Sequence, residues 1–220
     1  LQKRMIRMAK NLNKIAITAT QMMESMIESP VPTRAEISDV ANAVLDGTDA
    51  VMLSAETAAG KYPVETVKAM AEACAEADKA DHAMGFDTAF LDRTFTRIDQ
   101  SIAMAALFAA HHMRASAIVS LTQSGSTALW ITRIDSGIPV YALTPEESSR
   151  RRMTLFRECH PVAMQYRSYD MPAVLADVER LMLENGLVKR GDLVVITVGE
   201  PVGKSGGTNN LKIIRIGSPH

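Results

Sequence analysis

The sequence predicts an α/β protein in two parts: a partial (β/α)8, or TIM, barrel, followed by a small open α/β sheet with helices on its faces. Three observations predict it. Residues 15–19 and 50–53 are short apolar runs without polar alternation, the pattern of strands buried on both faces of a parallel sheet. Each run ends in hydroxyl and carboxylate residues and leads into a helix, so helix, strand, helix, strand, helix is the order, which is the repeating unit of a barrel. Between 79 and 97 the periodicity fades, and a second strand–helix alternation begins after it.

Along the first part, Leu1, Met5, Met8 and Leu12 recur at helical spacing with Lys3, Arg4, Arg7 and Lys10 between them. The chain thus opens in mid-helix without a start signal, which predicts that a longer sequence precedes it. After the first strand Pro30 and Pro32 break the path, and Thr33 with Glu36 forms a capping box for the next helix. Its apolar stripe is Ile37, Val40, Ala41, Val44 and Leu45, and Gly47 suits its end. Pro63 suits the first position of a further helix with Val67, Met70, Ala71 and Cys74 as its stripe. The boundaries expected are 1–80 for the barrel piece, 81–97 for a linker and 98–220 for the second domain.

In that second domain helices are expected at 100–113, 127–136, 146–153 and 172–185, and strands at 117–121, 140–143, 193–198 and 212–216. Two loops carry chemistry. Thr122-Gln123-Ser124-Gly125-Ser126-Thr127 joins a strand to a helix and offers hydroxyls and backbone N–H groups, which suit a phosphate. Residues 199–209, with Lys204, Ser205 and Gly206, follow another strand, and their glycines allow close backbone approach. If the two strands are neighbours, both loops can close on one sugar phosphate, with Lys204 supplying charge. Ordinary helix capping and an ordinary surface loop are the alternative.

In the first part the strand ends nominate Thr20, Ser54 and Glu56, because chemistry in such sheets collects where strands end and helices begin. The alternative is that Ser54 caps a helix and Glu56 is exposed. The wording here is also familiar. Thr18-Ala19-Thr20-Gln21-Met22-Met23-Glu24-Ser25-Met26, Pro32-Thr33-Arg34-Ala35-Glu36, Asp39-Val40-Ala41-Asn42-Ala43-Val44-Leu45-Asp46-Gly47 and Met52-Leu53-Ser54-Ala55-Glu56-Thr57 closely resemble the pyruvate kinases. The resemblance is long, ordered and almost free of gaps, and it continues more loosely after about Lys79. What it covers is the carboxyl-terminal part of that enzyme.

The resemblance implies phosphoryl transfer from phosphoenolpyruvate to ADP, giving pyruvate and ATP, with Mg2+ and K+ as cofactors. Thr20 matches the family threonine beside the enolpyruvate, where a hydroxyl serves as a positioned donor linked to water. Ser54 and Glu56 would support the same pocket. The lysine that steadies the transferring group and the metal ligands lie upstream in the family, so this segment is expected to hold no metal and, taken alone, not to catalyse. In the second domain the resemblance implies an allosteric effector site built from Thr122, Ser124, Gly125, Ser126 and Thr127 with Lys204, Ser205 and Gly206. Many members bind fructose 1,6-bisphosphate there through an arginine on the helix before the Gly191-Asp192 turn. Apolar Val174 stands at that place here, so a sugar monophosphate or AMP is the better candidate. Arg34 resembles a residue at the contact between adjacent barrels, which implies a homotetramer, and the family implies a cytoplasmic enzyme. A non-catalytic sugar-phosphate or nucleotide sensing module is the alternative.

Composition narrows the classes. A net charge of -1 over 220 residues argues against a nucleic-acid surface, and no apolar run is long enough to cross a membrane. Cys74 and Cys159 match no metal-ligand spacing and read as reduced, mostly buried thiols. The 14 methionines read as core filler. Arg150-Arg151-Arg152, after Glu146-Glu147, reads as a solvated face with phosphate approach or a subunit contact as alternatives.

Overall fold

A computed structural model describes residues 1–19, 21–82 and 94–218. They fall into two compact units, 1–82 and 94–218 as described. No helix among the described residues is long and apolar enough to cross a membrane.

The first unit runs α1 (Gln2–Asn11), β1 (Ile17–Thr18), a 3-10 turn (Glu24–Ile27), α2 (Arg34–Leu45), β2 (Ala50–Val51), α3 (Ala55–Ala58) and α4 (Pro63–His82). β1 and β2 pair in parallel, Ile17 with Ala50 and Thr18 with Val51. The buried Thr48 hydroxyl accepts from the Thr18 hydroxyl at 3.0 Å and lies 3.0 Å from the Ala16 carbonyl. The Asp49 carboxylate accepts from the Ala16 N–H at 2.9 Å. The strands are shorter than the apolar runs, and burial on both faces is not met: Ile17 is exposed, because no third strand lies beside the pair among the described residues.

The core of this unit is Met22, Met23 and Met26 packed with Val40, Met70 and Ala73, flexible thioethers filling an irregular space between α2, α4 and the turn. Thr33 and Glu36 make the capping box: Thr33 Oγ1 accepts from the Glu36 N–H at 3.3 Å, and Glu36 accepts from the Thr33 N–H at 2.8 Å. Val40, Ala43 and Val44 are buried, whereas Ile37 and Leu45 border an open apolar groove of about 740 Å3 between α2 and α4. The stripe expected on α4 is rotated. Its buried residues are Thr66, Met70, Ala73 and Ala77, while Val67 is exposed. Thr66 hides its polarity by donating to the Tyr62 carbonyl at 2.7 Å, so an apolar count passes over it. α4 also runs on to His82, past the periodicity break at 79, and the rest of the expected linker up to 93 lies outside the described residues.

The second unit runs α5 (Ile98–His112), β3 (Ala117–Leu121), α6 (Ser126–Ile131), β4 (Val140–Thr144), α7 (Glu147–Met153), β5 (Cys159–Ala163), α8 (Met171–Glu184), β6 (Leu193–Gly199) and β7 (Thr208–Arg215). The five strands lie in the order β5-β4-β3-β6-β7, all parallel except β7, which is antiparallel to β6. On one face α8 places Val174, Leu175, Val178 and Met182 against Val119, Leu121, Ile196 and Val198. Across the other face lies α5, with Ala103, Ala106, Leu107 and Ala110 buried.

Three elements differ from expectation. Strand β5 was not foreseen, since Cys-His-Pro-Val-Ala holds a proline and a histidine; as an edge strand bonded only to β4 it tolerates both. Helix α6 stops at Ile131, five residues before Ser136, because Thr132 Oγ1 and Arg133 Nε both bond the Leu129 carbonyl and close the last turn. Strand β7 starts at Thr208 rather than 212. Its polar beginning, Asn209 and Asn210, is held by bonds to Glu200 across the loop.

Candidate functional site

The first constellation stands at the ends of β1 and β2. Thr20 lies outside the described residues. Glu56, in the first turn of α3, is only 4% exposed, which overturns the alternative of an exposed Glu56. Its carboxylate accepts from the Ser54 N–H at 2.7 Å and from the Met23 N–H at 3.4 Å, so it ties the loop after β1 to the end of β2. Burial pushes this carboxyl up, but the amide hydrogen bonds from its own N–H, Ser54 and Met23 outweigh burial and hold it below its ordinary value. Ser54 makes no side-chain cap, so the capping alternative is also overturned; the residue is exposed and contributes its backbone.

Glu36, named in the sequence only as half of a capping box, has a second role here. Beyond the cap, its carboxylate accepts from the Ser25 N–H at 2.7 Å, the Ser25 hydroxyl at 2.5 Å and the Thr33 hydroxyl at 2.8 Å. Burial raises this group too, and the Ser25 and Thr33 hydrogen bonds bring it below the usual range. Glu56 on Met23 and Glu36 on Ser25 therefore fasten one loop at two points. The capping-box signature names Glu36 but gives no hint of Ser25, eleven residues back. Thr33→Ala is expected to cost about 1 kcal/mol, the usual worth of an N-cap; an unchanged denaturant midpoint would contradict it. Arg34 opens α2 as an exposed side chain.

The second constellation stands at the carboxyl ends of β3 and β6, which are neighbours. A crevice there is lined from one side by Thr122, Ser126 and Thr127 and from the other by Lys204, Gly206 and Thr208, with Tyr166 beside them. Of the expected residues, Ser124, Gly125 and Ser205 do not line it. Gly125 instead has φ +79 and packs on α7: a Cβ there would meet Met153 at 2.8 Å. The expected supply of backbone N–H groups is also reduced. The Gly125 N–H donates to Thr122 Oγ1 at 2.9 Å, and the Ser126 N–H to Ser124 Oγ at 3.4 Å.

The loops are closed on one another, leaving about 10 Å3, room for roughly one water. The buried hydroxyls of Thr127 and Thr208 hydrogen-bond at 2.7 Å and link the two sides. Thr208→Val is expected to leave Thr127 without that partner, to cost about 1–2 kcal/mol, and to speed amide exchange in residues 199–208. Exchange at the wild-type rate would show that the pair does not hold the loop. Tyr166 was not foreseen; burial, with Tyr169 nearby, pushes its hydroxyl up to about 12, so it is a neutral donor at the crevice wall. Val174 is 2% exposed in the core under α8 and presents nothing to this site.

Among the described residues no group of three or more His, Cys, Asp or Glu side chains is placed to hold a metal ion.

Both units match known protein families. The family model described as "Pyruvate kinase, barrel domain" matches residues 1–67, and that described as "Pyruvate kinase, alpha/beta domain" matches residues 100–214. The chain is 46% identical over 217 residues to pyruvate kinase II of Salmonella typhimurium and 45% identical over 217 residues to a pyruvate kinase of Buchnera aphidicola. A pyruvate kinase of Thermotoga maritima is 38% identical over 219 residues. Each alignment covers 98% of this chain and 45% of the relative, so the chain spans a little under half the length of the curated relatives it matches. With both domain models matched in chain order and nearly every residue aligned, the chain belongs to the pyruvate kinase family.

Proposed function

We propose that the chain is the carboxyl-terminal part of a glycolytic pyruvate kinase, and that its second unit is a regulatory module that binds a phosphorylated effector. The observation that carries the effector reading is the position of the crevice. In an open α/β sheet, ligands bind beyond the carboxyl ends of strands where the strand order reverses. Here the chain proceeds from β3 to β4 and β5 on one side, then crosses back to β6 on the other, so β3 and β6 flank that switch point. The crevice lies between the segments that follow them.

For the parent enzyme, phosphoenolpyruvate, ADP, pyruvate and ATP are the expected substrates and products, and Thr20 is assigned to the substrate pocket on the family match alone. Glu56 and the Ser54 backbone support the loop beside it. The magnesium and potassium that the family implies would neutralise phosphoryl charge during transfer. On the family resemblance, those ligands and the lysine that steadies the transferring group are assigned to barrel strands upstream of this segment. The 220-residue chain by itself is therefore expected to form no pyruvate from phosphoenolpyruvate and ADP, and phosphoenolpyruvate-dependent turnover by it would overturn this. Cytoplasmic location and a homotetrameric parent, with Arg34 at a subunit contact, complete the proposal.

The effector reading is tested by thermal-shift titration of the chain. A bound ligand at about 100 times its Kd adds about 2.7 kcal/mol and raises Tm by several degrees. Glucose 6-phosphate or AMP is expected to do so, and fructose 1,6-bisphosphate to do so less. Equal protection by the bisphosphate would overturn the choice of a monophosphate, and no shift with any of them would overturn effector binding.

A further inference from the structure

The three arginines of α7 are not equivalent. Arg150 and Arg151 both turn to Glu147, one and the same carboxylate, in the i,i+3 and i,i+4 geometry of a helix surface. Arg152 goes elsewhere: its guanidinium donates to the carbonyl of Ser124, in the middle of the loop whose neighbours Gln123 and Ser126 line the crevice. This placement is built in. Met153 is fully buried and seats against the Gly125 backbone, where no larger residue fits, so the register of α7 on the loop is set and the preceding side chain is delivered to the loop.

The crevice needs charge from side chains. Helix α6 has only six residues, and the loop N–H groups of Gly125 and Ser126 are engaged within the loop, so the backbone offers an anion fewer open amides than the loop sequence suggests. Val174 supplies no cation. Lys204 lines one wall, and Arg152 reaches the loop that forms the other.

We propose that Arg152 is the specificity-determining cation of this crevice, and that with Lys204 it takes a phosphomonoester. Two cations match the near-dianionic charge of one phosphoryl group at neutral pH. On binding, the two loops part from the closed arrangement that leaves room for about one water, and the planar guanidinium leaves the Ser124 carbonyl to grip two phosphoryl oxygens, which an ammonium cannot do. The proposal rests on the effector reading given above and adds the residue that selects the ligand.

The test is calorimetric titration of the 220-residue chain with glucose 6-phosphate, AMP and fructose 1,6-bisphosphate, comparing wild type with Arg152→Gln, Arg152→Lys and Arg151→Gln. Arg152→Gln is expected to weaken whichever monophosphate binds by about 10- to 100-fold, the loss of a charge-assisted contact. Arg152→Lys should recover part of the affinity, since it keeps the charge without the fork. Arg151→Gln should bind as wild type, and the ligand-free Tm of all three should match it, because both arginines are exposed. If Arg152→Gln binds as tightly as wild type while Lys204→Gln binds more weakly, the crevice is the site and Arg152 plays no part, which overturns this proposal alone. If Arg151→Gln weakens binding as much as Arg152→Gln, the effect is general charge and the proposal again fails. If the wild-type chain binds none of the three, the effector reading falls and takes this proposal with it.

Discussion

Arg157→Ala is expected to destabilise the second unit by about 3 kcal/mol, among the largest effects of any single substitution in this chain. Arg157 follows α7, its side chain is 7% exposed, and its guanidinium lies 3.0 Å from Asp135 Oδ2, in the segment between α6 and β4. Asp135 is itself 24% exposed. Truncating the arginine removes a cation 3.0 Å from a carboxylate that water reaches only partly, and a partly desolvated charge that loses a close counter-charge is costly. The pair as such is a different matter. Replacing both members by apolar residues of similar volume, Arg157→Met with Asp135→Leu, removes their mutual attraction together with the desolvation penalty of each charge. The double variant is therefore expected to recover most of the loss in urea midpoint. A single variant within about 0.5 kcal/mol of wild type, the range of ordinary surface changes, would show that the pair carries no such burden.

Glu56→Ala is expected to cost the first unit about 2–4 kcal/mol, because it orphans the Ser54 and Met23 amides around a side chain that is 4% exposed. Glu56→Gln keeps one acceptor oxygen and should lose less. The same carboxylate sets a pH dependence. Its folded pKa is lowered, since the amide bonds from Glu56, Ser54 and Met23 outweigh burial. A depressed carboxyl contributes stability that is complete above the unfolded value of about 4.3. That contribution is lost as pH falls through this value and then through the lower folded one. Glu36 acts in the same direction through Ser25 and Thr33. Urea midpoints measured from pH 7 down to pH 3 should fall in the wild type below about pH 4.3, and less steeply in Glu56→Gln. Parallel acid limbs in the two proteins would show that Glu56 is not a linked group.

Much of this architecture was legible because its signals are local. Thr33 and Glu36 mark the start of α2, Pro63 marks the start of α4, and the run 117–121 is β3 residue for residue. What stayed hidden depends on partners distant in sequence. β5 is a strand because β4 offers it a ladder, despite Pro161. α6 is short because Thr132 and Arg133 bond back to Leu129. At the candidate sites the loops could be named from hydroxyls and glycines, but their roles could not. That Gly125 serves packing on Met153, that Thr127 meets Thr208 across 81 positions, and that Arg152 rather than Arg150 or Arg151 reaches Ser124 are facts of tertiary placement. Resemblance carried the rest, and for Thr20 it remains the whole of the argument.

The two margins of the five-stranded sheet have a bearing on how this unit behaves in company. An open strand is a template on which another chain can crystallise into fibre, and natural sheets blunt it with proline, charge or a bent and irregular border. At one margin β5 carries Pro161, which lacks an N–H, and its five residues are too few for a long ladder. At the other, β7 runs antiparallel, shifts register at Val198/Gly199, and presents Lys212 and Arg215 among its residues. Neither border invites strand-by-strand growth, so the second unit is equipped to stay dispersed at high concentration.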